Sequence, residues 1–230
     1  TDIAWRIEYA IRNYTAIEPV AAPLLRIESL TVVDRREIEG IRAIHKLIKN
    51  HLDRIQSRLL PLHAKHQQQR PLAIALFGPP GSGKSNAVKR IVESMRDHPI
   101  KTKQLEPFNM AQFTSEDDLD KAFTAISNAS AQGEVPIAFF DEFDSKFLEE
   151  WGWLKFFLSA MEDGFYRNSP VQKAILVFAG GTSSTFAEFS LRNRAATDPQ
   201  AQRFGLAKGP DFVSRLNGHL DIVGVNPADP

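Results

Sequence analysis

Eight consecutive residues, Gly78-Pro79-Pro80-Gly81-Ser82-Gly83-Lys84-Ser85, fill every fixed position of the pattern G-x-x-x-x-G-K-[ST]. The chemistry such a run can do is phosphate binding. Its glycines allow positive φ and let main-chain N–H groups approach an anion closely. Lys84 supplies an ammonium for the β- and γ-phosphates, and the Ser85 hydroxyl supplies an oxygen ligand for Mg²⁺. Asn86, the next residue into the helix, is grouped with them as a nucleotide-contacting position. The implied ligands are a nucleoside triphosphate and Mg²⁺. A second constellation is Asp141-Glu142, which closes the apolar run Val135-Pro136-Ile137-Ala138-Phe139-Phe140. An acidic pair at a strand end sits where open α/β sheets bind their ligands. Asp141 is then a Mg²⁺ ligand, through water, beside Ser85. Glu142 is a general base for the water that attacks the γ-phosphate. Taken alone, each run has a plainer account, a glycine-rich turn or an acid capping a helix. Their occurrence together, about sixty residues apart, favours the nucleotide site.

The flanking elements suit this placement. Leu72-Ala73-Ile74-Ala75-Leu76-Phe77 reads as a strand buried on both faces, and the spacing of Ala87, Val88, Ile91, Val92 and Met95 reads as a helix. A strand, a glycine turn and a helix N-terminus direct amide dipoles at a bound anion. Upstream, residues 2–14 have helical spacing and end in a linker marked by Pro19 and Pro23. A long helix starts at Asp34, an N-cap with Glu37 three residues on, and carries Ile38, Ile41, Ile44, Ile48, Leu52 and Ile55 on one side. The tract from His63 to Arg70 reads as a solvated loop, since its two histidines have no further metal ligand at useful spacing. Downstream come a strand within 103–113 interrupted at Pro107, a helix from Thr114 to Gly133, the acidic-tipped strand, and a helix over 151–163. Then follow a strand over 174–179, an irregular polar loop over 190–210, a helical turn at Phe212–Leu216 and a final strand over 220–225. The alternation predicts an α/β protein, a three-layer sandwich on a central parallel five-stranded sheet with an N-terminal helical segment. The expected division is 1–30 for that segment and linker, and 31–230 for the nucleotide-binding domain.

Composition narrows the function classes. The 230 residues contain 28 Lys+Arg, 28 Asp+Glu and no cysteine. A net charge of zero gives no indication of a nucleic acid partner, though a local basic patch is compatible with it, and the absence of thiols excludes disulfides, thiolate metal sites and cysteine nucleophiles. No apolar run reaches membrane-spanning length and no signal-peptide pattern opens the chain, so no membrane partner is expected and a cytoplasmic location is the default.

The phosphate loop together with Phe140-Asp141-Glu142-Phe143-Asp144 resembles the AAA+ ATPases, over roughly residues 30–226. The resemblance implies a Mg-dependent ATP hydrolase that couples turnover to remodelling of a macromolecule, and it leaves that substrate unidentified. It implies a homo-oligomer, a ring such as a hexamer. Thr182, at the tip of Leu176-Val177-Phe178-Ala179-Gly180-Gly181-Thr182, matches the polar residue that senses the γ-phosphate. Arg215, in Gly209-Pro210-Asp211-Phe212-Val213-Ser214-Arg215-Leu216, matches the arginine finger supplied to a neighbouring subunit, with Arg203 a weaker match. Val32 and Val33 match the segment lining the adenine pocket, where core packing is an equal alternative. Two departures accompany the match. Asn109 to Ser115 lacks the aromatic-hydrophobic-Gly pore loop of remodelling members, and the family's small helical lid, due after about residue 226, is not in this sequence. A different class of function is an ATP-dependent switch or scaffold with slow or no hydrolysis. A phosphoryl-transfer kinase is a third reading, to which the Asp141-Glu142 pair is less suited.

Overall fold

The computed structural model describes residues 24–58, 69–191, 194–195 and 197–222. The helix expected at 2–14 and the histidine tract at 63–68 lie outside them. The first elements are β1 (Leu25–Ile27) and β2 (Leu30–Val32), an antiparallel hairpin in which Leu25 faces Val32. The expected division at residue 30 falls within this hairpin. Helix α1 (Arg35–Arg58) starts where expected, with the Asp34 carboxylate accepting from the Glu37 N–H at 2.9 Å. That bond satisfies one of the donors every helix start leaves open.

The remaining core elements alternate. They run β3 (Leu72–Phe77), α2 (Lys84–Glu93), β4 (Thr102–Gln104), β5 (Phe108–Asn109), α3 (Glu116–Ala131) and β6 (Val135–Asp141). Then come α4 (Leu154–Asp163), a hairpin of β7 (Phe165–Tyr166) and β8 (Ser169–Pro170), and β9 (Ile175–Ala179). Three short helices, α5 (Phe186–Ser190), α6 (Pro199–Leu206) and α7 (Gly209–Arg215), precede β10 (Gly218–Asp221). The main sheet is wholly parallel, in the order β10-β3-β9-β6-β4, with β5 also paired to β6. Six strands therefore occupy the five positions expected. The extra one arises because Pro107, which has no N–H to donate, lies in the gap between β4 and β5.

Alternation along each strand sorts the core into two faces. Leu72, Ile74 and Leu76 of β3 join Ile137, Phe139, Ile175 and Val177 under α1 and α2. Ala73, Ala75 and Phe77 join Phe140 and Phe178 under α3, α4 and the three short helices. The first face is almost wholly aliphatic. The second is aromatic: Phe140 meets Phe157 at 4.9 Å, Phe178 meets Phe212 at 5.0 Å, and Phe77 meets Phe189 at 5.2 Å between ring centroids. Trp153 and Phe157 are fully buried, so the aromatic run after the acidic strand is core, and Phe113 packs edge-on to Trp153.

The polar stretch 190–210 is where the structure departs most from expectation. It holds α6, which opens on Asp198 as N-cap with Pro199 in the first turn. The Asp198 carboxylate accepts from the N–H groups of Gln200 and Ala201, at 2.7 and 3.2 Å. Those bonds hold its pKa below the usual carboxylate range. Phe204 then buries against Trp151 and Phe189. One aromatic anchor and a good cap outweigh an otherwise polar composition.

Candidate active site

The phosphate loop leaves the tip of β3, which is braced on both sides. The Gly180 N–H donates to Leu76 O and the Ile222 N–H donates to Phe77 O, each at 2.9 Å. Glycine at 78 is required twice over: φ is +147°, and a Cβ there would lie 2.4 Å from Ile222 O. Gly83 at φ +86° forms the left-handed N-cap of α2, so the chain turns directly from loop into helix. The first N–H groups of α2 have no partner within the helix and point out of its positive end. Lys84 folds back over the loop, its Nζ donating to Gly78 O at 2.8 Å and Pro79 O at 3.3 Å. Ser82 Oγ is buried inside the loop without a hydrogen-bond partner. Pro79, Pro80 and Gly81 are exposed, Ser82 half-buried, and Ser85 lies in the first turn of α2 beside Asn86. These features fit a triphosphate.

Asp141 ends β6, two strand positions from β3, which places its Cα roughly 10 Å across the sheet with β9 between. Glu142 follows at φ +53°, a left-handed conformation that costs a non-glycine residue on the order of 1 kcal/mol. This turn leaves the Glu142 side chain exposed and lying over Gly181 at the tip of β9. Asp141, Glu142, Thr182 and the phosphate loop thus share one edge of the sheet. Ser85 and Asp141 are the oxygen donors that could hold Mg²⁺ there.

The residue that the spacing leaves without a role is Asp144. It is 3% exposed and receives N–H bonds from Gly181 at 2.8 Å and Thr182 at 2.9 Å, plus the Thr182 hydroxyl. Asp144 therefore ties the loop after β6 to the tip of β9. A carboxylate only accepts, so Thr182 gives its single hydroxyl proton to Asp144 and keeps only acceptor capacity for anything else. The sequence clue is an acid directly after Phe143, which is fully buried: a carboxylate held there needs partners.

Arg215 lies elsewhere. It ends α7 at the edge where strands begin, since Gly218 of β10 pairs with Ile74 and the phosphate loop follows Phe77. Its Nε sits 3.2 Å from Glu162 Oε2, an ion pair whose alignment falls short of a hydrogen bond, and Nη1 donates to Asp211 O at 2.8 Å. Glu162 also pairs with Arg70 at 2.6 Å. Arg203 pairs with Glu150 on the surface. Val32 is buried with the aliphatic face, whereas Val33 is 57% exposed.

A parallel sheet in this order with a phosphate loop on its second strand defines a P-loop nucleoside-triphosphate-binding fold. The family model described as "ATPase family associated with various cellular activities (AAA)" matches residues 74–197, more than half of the chain. The chain belongs to the AAA family of ATPases. Among solved structures it is similar to the Aeropyrum pernix ORC2 protein in its ADPNP–ADP complexes, at TM-score 0.50 and 16% identity, over 92% of this chain and 51% of that one. It is also similar to a closed-state reconstruction of Hsp104 with ATPγS and FITC casein, at TM-score 0.47 and 15% identity, over 80% of this chain and 33% of that one. The chain thus spans about half and a third of the lengths it matches. No curated protein sequence matches it. Among the described residues no helix is long and apolar enough to cross a membrane.

Proposed function

We propose that the protein hydrolyses ATP with Mg²⁺ and couples turnover to work on a macromolecule in an oligomer, a ring such as a hexamer. The observation that carries this reading is the convergence of the phosphate loop, Asp141, Glu142 and Thr182 on one sheet edge. The loop amides and Lys84 hold the triphosphate, with Asn86 beside them and Val32 and Val33 towards the adenine. Mg²⁺, held by Ser85 and Asp141, neutralises charge on the phosphates when bound. Glu142, exposed over Gly181, accepts a proton from the attacking water. Thr182, its own proton donated to Asp144, accepts the water's second hydrogen and so orients the oxygen towards the phosphorus. Arg215 is at the far edge and serves a neighbour's site.

Phosphate release from ATP in the presence of Mg²⁺ tests this. Glu142→Gln should lower turnover about 10²- to 10⁴-fold while nucleotide binding persists; unchanged turnover would remove Glu142 from the role. The engagement of the Thr182 proton by Asp144 favours a second reading, a switch that binds ATP and hydrolyses it slowly. Wild-type turnover well below one per minute, with tight nucleotide binding, would select it.

A further inference from the structure

At the edge where the strands begin, a cavity of about 210 Å³ is bordered by His51, Arg54 and Arg58 of α1, by Gln69 and Arg70 ahead of β3, and by Asn217 ahead of β10. Three guanidiniums converge on it from two segments. Among the described residues, neither Arg54 nor Arg58 has a carboxylate within ion-pairing distance; Arg54 Nε donates only to Asn50 O, at 3.3 Å. Arg70 has Glu162, but that carboxylate is divided between Arg70 and Arg215. Positive charge is left over.

The hydrogen-bonding capacity around the cavity is also one-sided. Asn217 Oδ1 accepts from the Ala73 N–H at 2.8 Å, which turns its amide NH₂, a double donor, the other way. His51 is 2% exposed and its Nε2 meets Lys173 O at 2.9 Å, so that nitrogen carries the proton and donates. Burial chiefly, with smaller contributions from the fields of Arg54 and Arg58, lowers the His51 pKa to about 4 against the carbonyl bond that raises it. Among the described residues no acidic group offsets those two fields at His51. Arg58 in the last turn of α1 could be read as a cation complementing the helix dipole. That reading does not account for Arg70 and Asn217 arriving from other segments.

We propose that this cavity binds a compact oxyanion, the phosphate group of a small molecule, at a site separate from the phosphate loop. Planar guanidiniums offer paired N–H donors that match phosphate oxygens. The volume, about 210 Å³, is enough for a phosphate group.

The test must silence the phosphate loop. Inorganic phosphate is titrated by calorimetry into the full chain saturated with Mg²⁺ and a non-hydrolysable ATP analogue, at constant ionic strength, and separately into Lys84→Ala. Saturable binding should appear in both and weaken at least tenfold in Arg54→Gln/Arg58→Gln, with Arg58→Gln alone giving a smaller loss. The control Arg35→Gln/Arg36→Gln, at the other end of α1, should bind as wild type. Phosphate should also shift the Asn217 side-chain amide resonances of the unmutated protein, a readout that needs no variant to fold. Loss of binding in Lys84→Ala, equal binding in the double variant, or no binding at all would overturn the proposal. So would displacement of phosphate by a single-stranded oligonucleotide lacking terminal phosphates.

Discussion

The two edges of the sheet carry different polar groups. At the edge where strands end, the backbone is bent into costly conformations at Glu142, and a buried serine hydroxyl is left without a partner. At the edge where strands begin, charged groups are joined in a chain, Arg70 to Glu162 to Arg215, in which Arg215 Nε is buried short of a hydrogen bond, and the Asn217 N–H donates to Ala73 O at 2.8 Å. Strain and unsatisfied groups are tolerated in a fold where a ligand completes them. On the proposed reading, the triphosphate is held at one edge and the spare cations are presented at the other. A single chain of this shape cannot bring Arg215 to its own phosphate loop.

The sharpest way to break that contrast is Arg215→Ala. If Arg215 acts on a neighbour, the assembled protein should lose about 10³-fold in turnover, the scale of an arginine finger. Folding stability should change by less than about 1 kcal/mol, because the Glu162 pair is partly solvated. Mixing Arg215→Ala with Glu142→Gln subunits should restore activity at the interfaces that pair an intact finger with an intact base. Equal loss in a verified monomer would contradict the separation of the edges.

Next in size is an effect of pH at the strand-start edge. The folded-state pKa of His51, about 4, lies below the ordinary 6.5, so the unfolded chain binds the extra proton between those values. Stability is fully present above about pH 6.5 and falls by about 3 kcal/mol as pH drops towards 4. Chemical denaturation between pH 7 and 4.5 measures it. A His51→Gln variant with the same slope would assign the loss to other groups.

Lys84→Ala addresses the other edge. Removing its ammonium from the loop should weaken nucleotide binding roughly 30-fold, the scale of one charge-assisted bond, with little change in melting temperature. Retained affinity for a fluorescent ATP analogue would show that the loop amides suffice. The smallest expected effect is that of Asp144→Asn, which keeps the shape but turns one acceptor into a donor facing N–H or O–H groups. About 1–2 kcal/mol of stability should be lost, together with part of the turnover. A variant as stable and as active as wild type would mean the tie between β6 and β9 does not matter.

Much of the fold could be read directly from residue order. The Asp34 cap, the apolar stripe from Ile38 to Ile55 and the buried runs 72–77, 135–140 and 174–179 appear in the structure where the patterns place them. Periodicity is strong there because each element is buried along a whole face. The helical turn expected at 212–216 lies in α7, but the segment from Phe186 to Leu206 could not be read in the same way. Its two helices have five and eight residues, too short for a period to show, and each is held by one or two aromatic residues inserted into the second core face. The Asp198-Pro199 cap was the available signal, and it is a weak one in a stretch of small and polar residues.

The order of residues alone determined the chemistry: a complete phosphate loop, two acids at a strand tip, and the strand–helix alternation that must carry them. These are local facts, set by backbone geometry and by period. Only the tertiary structure decided which groups meet: that Asp144 takes the Thr182 proton, that Arg215 lies across the sheet from the loop, and that Arg54, Arg58 and Arg70 surround one cavity. The first two join residues dozens of positions apart, and the third brings the end of α1 beside the start of β3. They depend on which strands become neighbours, a choice made by burying two chemically different faces at once and by no short stretch of the chain.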